Sequence, residues 1–270
     1  MPRREAFAFL AVPVLVAVIL LAPAWAFLVV LGAVVVAGGD ELLAMAGAIG
    51  IHHCRWLTLA ALTGVLVASW AAGVPGLAIA LAAAVTVLPA AQLARPEAPQ
   101  GSVAGVAASC LAVLFLGVTG VCLGWLRLWP DPAVAPRLLL LYLGVIWAGD
   151  SGAYYVGTRL GRHKMSPRIS PKKTWEGLAG GTVVTFAAAA ALRLALAVPL
   201  PWVHVLAVAA ILAVAAPLGD LVESQFKRDA GVKDSSQLFP GHGGALDRTD
   251  SLLYPAPAVL GYLLLVGLVR

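Results

Sequence analysis

Long apolar runs alternate with short polar segments along the whole chain. A membrane-spanning helix needs roughly 20 apolar residues, with a range of about 17–25. By this measure the pattern predicts nine spans: 6–22, 24–38, 56–73, 75–94, 103–126, 137–157, 177–198, 202–224 and 252–269. Lipid offers no hydrogen-bond partners to an open backbone, so we expect α-helices throughout. The predicted fold is an all-α polytopic membrane protein with its polar site at the cytoplasmic face.

The beginning of the chain permits more than one interpretation. The first two runs are short and flank Pro23, so 6–38 forms either two spans or one bent element. The stretch MPRRE, an apolar run and Ala24-Trp25-Ala26 also imitates a secretory signal peptide. Another apolar run follows at once, which favours a retained first helix over a cleaved signal.

Composition supports the membrane interpretation and excludes two other classes. The chain is 61% hydrophobic and 11% charged, with a mean hydropathy of +0.94, whereas a soluble domain is about a quarter charged. Its three cysteines have no paired spacing, so neither a disulfide framework nor a zinc site is expected. The net charge of +5 reflects membrane topology, and we expect no nucleic-acid partner.

The distribution of Lys and Arg predicts the orientation. With nine spans, 14 of the 18 basic residues fall on the side that holds the N-terminus and the polar loops 158–176 and 225–251. The positive-inside rule places that side in the cytoplasm. Spans three to five have no ionisable residue in their middles, so residues 1–136 are predicted to be scaffold and 137–270 the catalytic region.

Acidic residues at the ends of spans are the first candidates for chemistry, since charges there are costly and usually functional. They occur in three places: Asp40-Glu41, Asp150 and Asp220 with Glu223. On a helix, the 220 and 223 carboxylates share a face with Ser224 and Lys227. A simpler interpretation is that these carboxylates reach the interface or pair with Lys227.

The segment from Ser224 to Asp250 contains four basic residues, four acidic residues, one His and four glycines. Such alternating charge suits a site that holds a metal and a polyphosphate, because Mg²⁺ takes carboxylate oxygens, Lys and Arg bind phosphate, and glycines let backbone N–H groups approach an anion. The alternatives are a solvated loop with fortuitous charges and, for His242, a packing or capping role. In the loop 158–176, the hydrogen-bond donors of Ser170–Thr174 could hold a lipid phosphate. The basic residues Arg159, Arg162 and Lys164 of the same loop could instead serve only to set the membrane topology.

The spacing within this segment resembles the signature of the phosphatidate cytidylyltransferases (CDP-diacylglycerol synthases). The resemblance covers 27 residues, with Ala245 replacing the bulkier aliphatic usual in that family. Further motifs are Trp147–Tyr155 and Ser170–Gly177. The resemblance implies an enzyme that converts phosphatidic acid and CTP to CDP-diacylglycerol and pyrophosphate. It also implies a homodimer in the bacterial inner membrane. It also implies one or two Mg²⁺ ions and leaves a monovalent ion open.

The resemblance assigns roles to individual residues. The expected metal ligands are Asp220 and Asp247. The expected catalytic group is Asp220, Asp247, Lys227, His242 and Asp250. The expected contacts to the CTP phosphates are Ser224, Lys227, Arg228, Lys233, Gly243, Gly244 and Arg248. The expected contacts to phosphatidate are Lys172, Lys173, Arg168 and Asp150.

Two other functions stay open from the sequence. The same chemistry could act on another lipid phosphate, such as an ether lipid. A transporter is a more distant alternative, because transporters usually place polar sites near the midplane, whereas here the charges collect at one surface.

Overall fold

A computed structural model describes residues 2–94, 100–239 and 243–268, with side chains from residue 12 onward. A π-helical segment occupies Ala112–Gly117. Within the described residues the helices are α1 (Pro2–Leu21), α2 (Ala24–Ala48), α3 (Arg55–Gln92), α4 (Ser102–Leu111), α5 (Val118–Arg127), α6 (Ala135–Leu160), α7 (Trp175–Ala195), α8 (Trp202–Asp229), α9 (Leu246–Leu253) and α10 (Ala256–Leu265). Two short strands are β1 (Lys164–Ser166) and β2 (Ser170–Thr174).

Five helical segments in the described part of the chain are long and apolar enough to cross a membrane. They are α2, α3, the combined segment Ser102–Arg127, α7 and α8. The chain is therefore an all-α protein of the multi-pass membrane class, as the hydropathy pattern predicts.

Helix α3 is a helical hairpin rather than one rod. Gly73 has φ 62° and ψ −142°, values that interrupt the helix and that glycine adopts without a steric penalty. A Cβ atom at Gly76 would lie 2.0 Å from the carbonyl oxygen of Ala68, so the two arms turn back tightly. At the far end Gln92 Nε2 donates to His52 O at 3.3 Å. The arms, 55–72 and 74–92, correspond closely to the third and fourth predicted spans.

The N-terminal region forms two helices, α1 and α2, which break at Ala22 and Pro23. Pro23 has no N–H to continue the ladder of α1, and the Ala22 carbonyl accepts a hydrogen bond from Arg127 at 3.0 Å. Helix α2 continues to Ala48, ten residues beyond its predicted end at 38. Asp40 and Glu41 thus belong to the helix and do not follow it.

The two polar loops are more ordered than the hydropathy pattern indicates. Loop 158–176 contains the antiparallel hairpin β1–β2, in which Lys164 pairs with Thr174 and Ser166 with Ser170. In the last polar segment, α8 extends to Asp229 and α9 begins at Leu246. The ninth predicted span, 252–269, contains the last two residues of α9 and the whole of α10, with a turn at Tyr254 and Pro255 between them.

The chain divides into two compact units. Unit 1 comprises Met1–Phe27, Leu126–Gln225 and Asp250–Arg270, and unit 2 comprises Leu28–Trp125 and Phe226–Thr249.

In unit 1, α6 and α7 pack antiparallel through small residues. A Cβ atom at Gly152 of α6 would lie 2.7 Å from Val184, and one at Gly180 of α7 would lie 2.4 Å from Val156. Small residues let helix backbones approach closely, which drives helix packing where lipid is as apolar as leucine. This packing holds the C-terminal half of α6 against the start of α7, where the β2 strand enters.

Unit 2 has a leucine-rich core between α2, the α3 hairpin and the π-helical segment. Leu43, Leu62 and Leu116 are almost completely buried there. A Cβ atom at Gly39 would lie 2.5 Å from Leu62, so α2 also approaches its neighbour at a glycine. The same turn of α2 carries Asp40 and Glu41 beyond this core.

Candidate active site

A buried ion pair is the central feature of the polar segment in unit 2. Lys227 Nζ lies 2.5 Å from Asp247 Oδ1, and the two side chains are only 10% and 5% exposed. Lys227 comes from the last turns of α8, and Asp247 from the first turn of α9. Charges removed from water in this way are costly unless they are paired and hydrogen-bonded.

The other oxygen of Asp247 is also fully engaged. Asp247 Oδ2 accepts hydrogen bonds from Ser235 N at 2.8 Å, Ser235 Oγ at 2.8 Å and Gly244 N at 2.9 Å. Burial by itself would raise the pKa of Asp247, but the contacts of Lys227, Gly244 and Ser235 outweigh it and lower that pKa to about 2. Asp247 is therefore a carboxylate at neutral pH.

Two glycines make this geometry accessible. Gly243 has φ 81°, and a Cβ atom there would lie 2.5 Å from Asp247 Oδ2. A Cβ atom at Gly244 would lie 2.2 Å from Ser235 Oγ. The sequence predicts that these glycines bring backbone N–H groups close to an anion, and in the structure the anion that Gly244 approaches is the carboxylate of Asp247.

Glu41 of α2 belongs to the same cluster and had no role assigned from the sequence. Its side chain is buried, and it accepts hydrogen bonds from Ser235 Oγ, Ser236 Oγ and the backbone N–H groups of Ala245 and Leu246. The available signal was an acidic residue next to a predicted span. We call Glu41, Lys227, Ser235, Gly244 and Asp247 the Asp247 cluster.

Unit 1 contains a second polar group, the Asp220 cluster. Its members are Asp150, Lys173, Asp220, Ser224 and Ser251. Lys173 Nζ lies 2.8 Å from Asp220 Oδ2 and also donates to the carbonyl of Pro217 at 3.2 Å. Ser224 Oγ donates to Asp220 Oδ1 at 3.2 Å.

Asp150 completes this second cluster from α6. Its Oδ2 accepts a hydrogen bond from Ser251 Oγ at 3.2 Å, and the charges of Lys173 and Asp220 act on it. Asp150 also lines a small pocket between α6, α7 and α8, whose other lining residues include Ile146, Leu178 and Leu212. Asp150 thus borders both a polar cluster and an apolar pocket.

The β1–β2 hairpin presents the remaining basic residues of the second loop. Thr174 caps α7, because its hydroxyl accepts the N–H of Gly177 at 3.1 Å. Glu176 closes the base of the hairpin by accepting the backbone N–H groups of Arg162 and His163 at 3.1 and 3.2 Å. Arg168 and Lys172 are exposed on this rigid support.

The predicted site residues therefore fall into two clusters and an exposed set. Lys227, Gly243, Gly244 and Asp247 meet in unit 2, whereas Asp150, Lys173, Asp220 and Ser224 meet in unit 1. Asp250 accepts the neighbouring N–H of Ser251 at 2.6 Å. His242 lies outside the described residues. The exposed members are Arg168, Lys172, Arg228, Lys233 and Arg248.

Asp220 is more accessible to a Mg²⁺ ion than Asp247. Carboxylate and hydroxyl oxygens of the Asp220 cluster are ligands that Mg²⁺ prefers. Among the described residues no three His, Cys, Asp or Glu side chains form a metal cage. Mg²⁺ commonly binds through one or two carboxylates together with substrate phosphates, so a cage is not required. The Asp220 side chain is 39% exposed, whereas the Asp247 side chain is 5% exposed and its Oδ2 accepts three hydrogen bonds.

The described residues thus form a multi-pass membrane protein with two lysine–carboxylate clusters and a set of exposed basic residues. The chain belongs to the cytidylyltransferase family, whose model matches residues 2–266.

Its relatives include three proteins named phosphatidate cytidylyltransferase. The chain is 50% identical to that of Bacillus subtilis over 113 residues, 42% of each chain. It is 45% identical to that of Haemophilus influenzae over 143 residues, 47% of this chain and 46% of the relative. With the protein of Staphylococcus saprophyticus it shares 38% identity over 151 residues, 56% of each chain. The chain spans about half the length of the curated relatives it matches.

Proposed function

We propose that this protein transfers the cytidylyl group of CTP to phosphatidic acid, which yields CDP-diacylglycerol and pyrophosphate. The observation that carries the proposal is the similarity to relatives named for this activity. The two lysine–carboxylate clusters support it, because the reaction must bind several phosphates and control their charge.

In the proposed reaction, a phosphate oxygen of phosphatidate attacks the α-phosphorus of CTP. A new oxygen–phosphorus bond forms, the bond to the β-phosphate oxygen breaks, and pyrophosphate leaves with that electron pair. The attacking monoester is already anionic near neutral pH, so no protein nucleophile is required. The protein's contribution is positioning and electrostatic stabilisation.

We assign the phosphate contacts to basic residues of both loops. Lys227, Arg228 and Lys233 bind the nucleotide phosphates, supported by Ser224, Gly243, Gly244 and Arg248. Lys172, Lys173 and Arg168 bind the phosphatidate head group, near Asp150. The exposure of Arg168 and Lys172 on the β1–β2 hairpin agrees with this role.

Asp220 and Asp247 are the proposed Mg²⁺ ligands, with Asp250 and His242 as further members of the catalytic group. Bound Mg²⁺ would offset the negative charge of the phosphates. The proposal allows one or two Mg²⁺ ions and an additional monovalent ion. Ser224 would orient the Asp220 carboxylate through its 3.2 Å hydrogen bond.

The proposed arrangement has nine spans in the inner membrane, with the two arms of the α3 hairpin as the third and fourth. The N-terminus and the polar loops then face the cytoplasm together with 14 of the 18 basic residues. This orientation supplies CTP from water and phosphatidate from lipid. We further propose a homodimer and no nucleic-acid partner.

The test is pyrophosphate release by the purified protein in detergent with CTP, Mg²⁺ and phosphatidic acid, omitting one component at a time. We expect release only in the complete mixture. If pyrophosphate is released with an ether-lipid phosphate but not with phosphatidic acid, the acceptor is the ether lipid. Substrate flux in vesicles without any pyrophosphate release would contradict the enzyme assignment and favour a transporter.

A further inference from the structure

Glu41 connects the part of α2 that belongs to unit 2 to the other members of the Asp247 cluster. The residue is 6% exposed, and its carboxylate accepts two hydrogen bonds on each oxygen. Oε1 accepts from Ser236 Oγ at 2.6 Å and Ala245 N at 2.9 Å. Oε2 accepts from Ser235 Oγ at 2.8 Å and Leu246 N at 2.8 Å. A buried carboxylate in this state connects Ser235 and Ser236 to the start of α9.

The backbone contacts of Glu41 fix the start of α9. Leu246 is the first residue of α9, and the N–H groups of a helix's first turn have no partner inside the helix. Glu41 accepts two N–H groups at this end from another helix, the task that a capping side chain usually performs. Asp247 is the next residue, so the contact of Glu41 with Leu246 N fixes the position of the Asp247 backbone.

The hydroxyl of Ser235 links the two carboxylates directly. Ser235 Oγ lies 2.8 Å from Glu41 Oε2 and 2.8 Å from Asp247 Oδ2. One hydroxyl proton can serve only one of these acceptors at a time. Glu41 and Asp247 therefore share a donor, and a change at Glu41 alters the hydrogen bonding of Asp247.

We propose that Glu41 is a positioning residue of the transferase site, which holds Ser235, Ser236 and the start of α9 and thereby keeps Asp247 in place. The proposal rests on the function proposed above for Lys227 and Asp247. It gives the N-terminal region, which the sequence predicts to be scaffold, a direct part in building the site.

The test compares Glu41→Gln with the matched control Asp40→Asn. Gln keeps one acceptor oxygen and places an NH₂ group against N–H donors. Asp40 is the adjacent residue, loses the same charge, and pairs with Arg55 at 2.6 Å on an exposed surface. We expect Glu41→Gln to lower kcat about tenfold or more, the usual effect of losing an outer supporting contact, with little change in the KM for phosphatidate. Asp40→Asn should leave both constants unchanged.

A labelling measurement tests positioning without any turnover. Lys227 is 8% exposed, whereas Lys233 is exposed and provides an internal reference. We expect Glu41→Gln to raise the ratio of Lys227 to Lys233 acetylation by an amine-reactive ester about fivefold, because local opening sets the reactivity of a protected group. Asp40→Asn should not raise it.

These measurements separate the inference from the proposed function. Absence of pyrophosphate release in the unmodified protein would contradict the function, yet the labelling ratio would still report on Glu41. An unchanged ratio and unchanged kcat in Glu41→Gln would overturn the inference. Should Glu41→Gln not accumulate in the membrane, Ser236→Ala removes one of its four hydrogen bonds. A labelling ratio in Ser236→Ala equal to that of Asp40→Asn would then overturn the inference.

Discussion

Asp247→Asn is the most direct test of the ion pair in the polar segment. The substitution preserves the size of the side chain but removes its charge. The Asn oxygen can replace only one carboxylate oxygen. If that oxygen accepts from Ser235 and Gly244, the NH₂ group faces the Lys227 ammonium, and Lys227 loses the negative charge of Asp247.

The expected loss in the free energy of unfolding follows from the environment of Asp247. The pKa of Asp247 falls from 3.8 to about 2, which favours the charged form by about 2 kcal/mol. Because this pKa is lowered, the stabilisation is present at neutral pH and is lost only as the pH falls towards about 2. Removing one partner of a buried pair costs about 3–5 kcal/mol. We therefore expect Asp247→Asn to lower the free energy of unfolding by about 3 kcal/mol.

The assay is a double-mutant cycle with Lys227→Met, measured by SDS-induced unfolding in mixed micelles at pH 7. We expect the two substitutions to be coupled by about 1–3 kcal/mol, because each of them removes the same Lys227–Asp247 contact. The exposed pair Asp40–Arg55, with side chains 35% and 47% exposed, provides the control cycle. Its coupling should be about 0–1 kcal/mol. Equal coupling in the two cycles would refute the reasoning.

Three further predictions concern the remaining groups. Asp220→Asn should lower kcat on the order of 100-fold without loss of membrane insertion, and full CTP-dependent activity of the purified variant would exclude Asp220 as a metal ligand. Gly244→Ala should destabilise the protein by about 1–3 kcal/mol in thermal unfolding, because its Cβ atom would lie 2.3 Å from Glu41 Oε2. The control Gly261→Ala, which has open space around its Cβ atom, should leave the stability unchanged in the same measurement. Chelation by EDTA should stop pyrophosphate release and excess Mg²⁺ should restore it, whereas release that continues in EDTA would contradict the metal requirement.

The helices were the most predictable part of this protein. Apolar runs predict the two arms of α3 to within two residues, because Gly73 and Pro75 interrupt a pattern that lipid otherwise makes helical. The extension of α2 past residue 38 was not predicted, since a polar Asp-Glu pair marks the end of hydrophobicity and not the end of the helix. The β1–β2 hairpin was also missed, because its strand Ser170–Thr174 has no apolar alternation.

The candidate site was predictable in its residue types but not in its partners. Charge alternation and spacing single out Lys227, Gly244 and Asp247 from the sequence alone. The family resemblance assigns Lys227 and Gly244 to bind phosphate, whereas in the structure both of them contact Asp247. Which anion a lysine contacts depends on the packing of the folded chain. The spacing of residues along the sequence does not specify the distance between their side chains.

The sequence by itself determined the membrane class, the helical arms and the segment that carries the charges, because each depends on local composition and on the solvent that surrounds it. The tertiary structure alone decided that Glu41 joins Ser235, Ser236 and the start of α9, across a separation of about 200 residues. A buried carboxylate needs donors wherever the fold supplies them. Those donors come from another part of the chain, so only the folded arrangement of unit 2 specifies them.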